Sequence, residues 1–134
     1  MKRKHIVILI IVLLVAAGGF LGINSILKRT ESNLESLKYI EITQVDLTAI
    51  ENGTYSGSYS AFPISAEVNV TILDHVITGI ELVKHSNGQG APAEAILEKV
   101  MESQTLQVDS ISGATYSSKV LLKAIESALL HANK

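Results

Sequence analysis

The sequence predicts an α+β fold: a small antiparallel sheet of three to four strands packed with two helices, preceded by one N-terminal transmembrane helix. Three observations predict it. Residues 6–23 run for 18 positions without a charge, residues 66–73 alternate apolar and polar side chains, and two later stretches repeat apolar residues at helical spacing. Alternation is the period of a strand with one face buried. The two helical stripes give such a sheet something to pack against. A chain of 134 residues leaves room for one domain beyond the apolar run.

The first element starts on Lys2-Arg3-Lys4-His5 and continues as IVILIIVLLVAAGGFLGI. About 20 apolar residues cross a bilayer core. The alternative is a cleaved signal peptide, for which Ala16-Ala17-Gly18-Gly19 offers small residues. The apolar run continues past them through Phe20-Leu21-Gly22-Ile23, which favours an uncleaved single span over residues 1–29. The three early cations outweigh Lys28 and Arg29, which Glu31 and Glu35 dilute. That bias keeps the N-terminus in the cytoplasm and sends the remainder outside, as a single-pass protein of the cell membrane. Residues 30–49, with Leu34 and Leu37 among polar side chains, read as a stalk or linker. The domain proper is expected over 50–134.

Within it, Gly53-Thr54-Tyr55-Ser56-Gly57-Ser58-Tyr59 reads as an extended segment with both tyrosines on one face, packing on the sheet. Ala66, Val68, Val70 and Ile72 share the apolar face of the next strand. Asp74-His75 is a two-residue connection to Val76–Val83, which predicts a hairpin. His is a poor second turn residue beside Gly, so the turn type stays open. Pro92 suits a first helical position, followed by Ala93, Ile96, Leu97 and Val100 on one face. A last helix opens near Ser117, with Leu121, Ile125, Ala128 and Leu129 inward and Lys119, Lys123 and Glu126 outward.

Composition narrows the function classes. The net charge is −2, but residues 24–134 hold eight basic and 13 acidic residues, a net of −5. That balance argues against nucleic acid as a partner, because neutralising phosphates needs clustered Lys and Arg. Cysteine is absent, which excludes disulfides, iron–sulfur clusters, c-type haem attachment and a lipidated-cysteine anchor. The four histidines are scattered and none is paired at i, i+4, so no metal site is expected.

The run that carries chemistry is Asp109-Ser110-Ile111-Ser112-Gly113-Ala114-Thr115-Tyr116-Ser117-Ser118, just before the last helix. Small residues and a glycine let backbone N–H groups approach an anion, and the helix start adds its positive end. Read from residues alone, the run fits a phosphate-binding turn or a well-capped helix start. It does not fit the Gly-x-Ser-x-Gly elbow of serine hydrolases.

Asp109 to Thr115 matches every position of the D-x-x-[ST]-G-A-[ST] flavinylation motif and resembles the FMN-binding domain family. Its members include the peripheral flavin subunits of sodium-pumping and Rnf-type redox complexes and the flavoproteins of extracellular electron transfer. Asn52–Gly57 resembles the family's first strand, Val70–Leu82 its hairpin, His85-Ser86-Asn87-Gly88-Gln89-Gly90 its His-x-Asn-Gly loop, and Ser117–Leu129 its closing helix. The resemblance covers roughly residues 50–130. It implies FMN joined by a phosphodiester to Thr115, made from FAD by an exported flavin transferase that uses magnesium and releases AMP. Asp109, Ser112, Gly113 and Ala114 would serve recognition and pocket. Ser117, Ser118, His85 and Gly88 are further candidate cofactor contacts. The partners implied are the membrane, the transferase, a membrane reductase as donor and an acceptor outside. The chain reads as an electron-transfer protein rather than an enzyme with its own substrate. The other reading is a non-redox accessory or sensory domain that binds FMN reversibly or keeps only the fold.

Overall fold

The computed structural model describes residues 2–86 and 91–132, in two compact units, Met1–Ser32 and Asn33–Lys134. Helix α1, Lys2–Lys38, passes through both. In the first unit it exposes every large apolar side chain from Ile6 to Leu27, and it is long and apolar enough to cross a membrane. The 22 residues from Ile6 to Leu27 rise about 33 Å at 1.5 Å each, the thickness of a hydrocarbon core.

The second unit is built on three antiparallel strands, β1 (Gly53–Ala61), β2 (Ile64–Leu73) and β3 (Val76–Ser86), in the spatial order β1-β2-β3. The alternation in β2 does what its period requires. Ile64, Ala66, Val68, Val70 and Ile72 are all buried, while Thr54–Thr71 and Ser56–Asn69 hydroxyl and amide contacts link the strands on the exposed side. Tyr55 and Tyr59 pack against the core as expected, and the Tyr55 hydroxyl donates to the Glu51 carbonyl.

The hairpin turn resolves as type I′. Asp74 and His75 have φ of 52° and 63°, both in the left-handed region that this turn demands. The Asn52 side-chain oxygen accepts from the Asp74 N–H at 2.8 Å, which supports a turn without glycine. The turn between β1 and β2, also of two residues, carries a cis Phe62–Pro63 bond. In β3 the pairing skips Val83 between Lys84 and Leu82, and Thr78 between Gly79 and Ile77. Each is a one-residue bulge.

Helix α3, Thr115–Ala132, lies across β1 and β2. Leu121, Ile125, Ala128 and Leu129 are buried as the sequence predicts. The contact with β1 is close: a Cβ on Gly57 would sit 2.2 Å from the Ala124 carbonyl oxygen and 2.3 Å from the Ala128 nitrogen. Only glycine fits there. Helix α2, Ile96–Ser103, contacts β3 and α3 and buries Ile96, Leu97 and Val100. Ala93 is buried with them, but Pro92 lies in a separate 3₁₀ turn, Ala91–Ala95, rather than at the first position of α2.

Three further expectations change. The last helix opens at Thr115 rather than Ser117. Glu126, read as outward, is 3% exposed. The compact unit reaches back to Asn33, with Leu37, Val45 and Ile50 buried in its core. Residues 39–46 form a strap without regular structure, held by side chains rather than a strand ladder. Thr43 N–H donates to Glu126 at 2.8 Å, Gln107 to the Ile42 carbonyl at 2.7 Å, and Thr105 to the Gln44 side chain at 2.7 Å.

Candidate functional site

The Asp109–Ser118 run folds as a turn feeding a helix. Ala114 N–H donates to the Ile111 carbonyl at 3.0 Å, and Gly113, third in this four-residue turn, has φ +77°. This is the type II turn, whose third residue sits where L side chains are strained. The first α3 hydrogen bond runs from Ser118 N–H to the Ala114 carbonyl at 2.9 Å. Ala114 is therefore the N-cap, and alanine carries no side-chain acceptor. The Ser118 hydroxyl instead accepts from the Ile111 N–H at 3.0 Å, tying the turn to the helix it precedes. Among the described residues the first N–H groups of α3 thus meet no capping side chain, at the end of the helix that attracts anions. This geometry favours the anion-binding reading of the run over the capped-helix reading.

Exposure divides the nine candidate residues. Asp109, Ser112, Gly113 and Thr115 are exposed, while Ala114, Ser117 and Ser118 are buried. The Thr115 hydroxyl stands at the first position of α3, open to solvent. Ser118 holds the turn from beneath. His85 sits near the end of β3, opposite Ala66, with only 3% of its side chain exposed and Nδ1 at 3.0 Å from a Glu94 carboxylate oxygen. It therefore pairs with a carboxylate across the segment that follows β3. Gly88, with the rest of residues 87–90, lies outside the described residues.

Two open grooves flank the run. One, of about 490 Å³, is lined by Ile40, Glu41, Ile42, Leu106, Gln107, Val108, Asp109, Lys119 and Leu122. The other, of about 510 Å³, shares Gln107, Val108 and Asp109 and adds Lys99, Glu102 and Ser103. Both are of the size that holds a cofactor-sized ligand. Lys119 and Lys99 are contributors that sequence reasoning missed. Lys119 read as an outward helix residue, and Lys99 lies ten residues from the motif it flanks. The spacing Thr115–Lys119–Leu122 along one helix face was the available signal.

What the site can do chemically follows from these parts. An exposed hydroxyl follows a glycine turn and an N-cap without an acceptor, and a cation stands one helical turn away. These residues fit a phosphate ester carried on Thr115. Among the described residues no cluster of His, Asp and Glu is arranged to hold a metal ion.

Comparison with known proteins gives two matches. A family model described as FMN-binding domain matches residues 62–130, from the β1–β2 turn to near the end of α3. NADH:acrylate oxidoreductase of Vibrio harveyi is 33% identical over 106 residues, which is 74% of this chain and 10% of that protein. The chain thus spans about a tenth of the length of that relative. No solved structure matches the chain significantly.

Proposed function

The chain belongs to the FMN-binding domain family, and on that premise we propose that it is a membrane-anchored, extracytoplasmic electron carrier with FMN joined by a phosphodiester to Thr115. One observation carries this reading: the Thr115 hydroxyl is exposed at the first residue of α3, directly behind the Gly113 turn and an alanine N-cap. A flavin transferase can reach the whole exposed face of the motif, Asp109, Ser112, Gly113 and Thr115. In attachment, Thr115 Oγ1 gives up its proton and forms a bond to the FMN-side phosphorus of FAD. The pyrophosphate P–O bond breaks and AMP leaves.

Each neighbour of Thr115 then has a definite task. The first N–H groups of α3 donate to the phosphate oxygens. Gly113 supplies the left-handed corner that brings the turn beside the helix start, and Ser118 locks that corner through Ile111 N–H. When bound, the isoalloxazine ring supplies the redox chemistry and the chain supplies its placement. A tether suits a domain outside the membrane, where a dissociated cofactor would be diluted away. The relative named as an oxidoreductase supports a redox role over a purely structural one. Donor and acceptor would be a membrane reductase and an acceptor outside.

Intact mass tests the attachment. Chain co-expressed with a flavin transferase should gain roughly 440 Da, one FMN less water, and stay yellow through denaturing electrophoresis. Thr115→Ala and Thr115→Val should lose both properties, and Thr115→Ser should keep part of the modification. Full modification of Thr115→Ala would overturn the assignment.

A further inference from the structure

The groove beside the Asp109–Thr115 run contains a cation that no ion pair neutralises. Among the described residues the ion pairs within 4.0 Å are Lys38–Glu35, His85–Glu94 and Lys123–Glu126. Lys123 is therefore matched by Glu126 one turn on, whereas Lys119 is not matched by any carboxylate. Lys119 is half-buried. Its ammonium donates to the Ile40 carbonyl at 3.3 Å, and an ammonium has three donors, so two remain. The other charged residues lining this groove are Asp109 and Glu41, both acidic.

Position on α3 directs those two donors. Residues four apart on a helix are neighbours, with Cβ atoms about 5–6 Å apart, and side chains lean back toward the helix N-terminus. The stem of Lys119 thus lies over the turn that begins with Thr115. Lys99 lines the other groove.

We infer that Lys119 is the phosphate-binding cation of this site, its ammonium donating to the phosphodiester on Thr115. The inference rests on the attachment proposed above. A phosphodiester is an anion, and here it would stand beside a groove that also carries two carboxylates. Lys119 offsets that repulsion with charge-assisted hydrogen bonds, the strong class of such contacts.

The test uses the full chain, as wild type, Lys119→Gln and Lys119→Arg, each co-expressed with a flavin transferase and checked by intact mass. Phosphorus NMR then follows the diester resonance while Mn²⁺ is added, since a diester that lacks its counter-cation attracts the metal ion. Lys119→Gln should broaden at about a tenfold lower Mn²⁺ concentration than wild type, and Lys119→Arg should follow wild type. Attachment lost in Lys119→Gln but kept in Lys119→Arg also supports the assignment. Equal broadening in all three removes Lys119 from the phosphate while leaving the attachment intact. Attachment lost in both variants at unchanged thermal melting overturns it as well. A wild-type chain with no mass gain and no diester signal overturns the attachment itself, and this assignment with it.

Discussion

The carboxylate of Glu126 accepts from the Thr43 N–H and from the Lys123 ammonium, although the residue is only 3% exposed. Burial alone would push its carboxyl up, but the hydrogen bonds from Lys123 and Thr43 and the charge of Lys123 outweigh that and hold it below the ordinary value of 4.5. A carboxyl lowered in the folded state stabilises the fold above its unfolded value, and the contribution is lost as pH falls toward the folded one. Wild type should therefore lose urea resistance as pH falls through and below the ordinary value of 4.5, more steeply than Glu126→Gln, which is already weaker at pH 7. Gly113 makes a separate prediction. Nothing lies within 4 Å of a Cβ placed there, so Gly113→Ala meets only the backbone cost of φ +77°, about 1–2 kcal/mol. Gly113→Asn should recover part of that in the same denaturation series. Gly113 was legible as a turn residue from its setting among small side chains. Glu126 was not, because its partner Thr43 lies 83 residues away and no periodicity on α3 announces it.

At the scale of elements, the tightest joint is the crossing of α3 over β1. Gly57→Ala would force its methyl against backbone atoms of Ala124 and Ala128, which cannot swing aside as a side-chain tip could. Overpacking of this kind costs about 1–3 kcal/mol. A matching drop in the free energy of unfolding is expected, while Gly53→Ala, facing only the movable Tyr55 ring, should cost less. Strand β2 and the buried stripes of α2 and α3 were legible because their apolar residues keep one period throughout, and the hairpin was legible because the two residues Asp74-His75 join two apolar runs. The start of α3 was not. Thr115 and Tyr116 carry no apolar stripe of their own, and the N-cap is an alanine where a capping side chain would have marked the boundary.

The folded unit as a whole takes in residues the sequence assigned to a linker. Leu34 and Leu37 were visible there, but their helical spacing suits a stalk as well as a core contact, and only the fold distinguishes the two. Leu37 is 1% exposed and Val45 7%, and burying such side chains stabilises by about 1.5–3 kcal/mol each. A chain beginning at Asn33 should fold cooperatively, whereas one beginning at Ile50 should melt well below it or not fold. Thermal unfolding followed by circular dichroism compares them. Topology has its own measurement. If Lys2-Arg3-Lys4 stay in the cytoplasm, as the proposed function requires, protease added to cells stripped of outer layers should remove residues after about 30. A reporter joined after Lys134 should act only outside, and a cytoplasmically active one would reverse the orientation.

The two bulges of β3 act together as a pair of half-period slips. Without them, inward parity would run Ile77, Gly79, Glu81, Val83, His85, placing a glutamate against the core. The slip at Thr78 hands the inward phase to Ile80 and Leu82, opposite Val70 and Val68. The slip at Val83 hands it back, so that His85 stands opposite Ala66 with its ring shielded and within reach of Glu94. Deleting Val83 would remove the bulge and keep Lys84 and His85 opposite Glu67 and Ala66, whereas drawing Val83 into the ladder opposite Glu67 would turn His85 out to solvent. Whether that histidine serves the fold or the surface is decided two residues upstream, by one unpaired position that has no chemistry of its own.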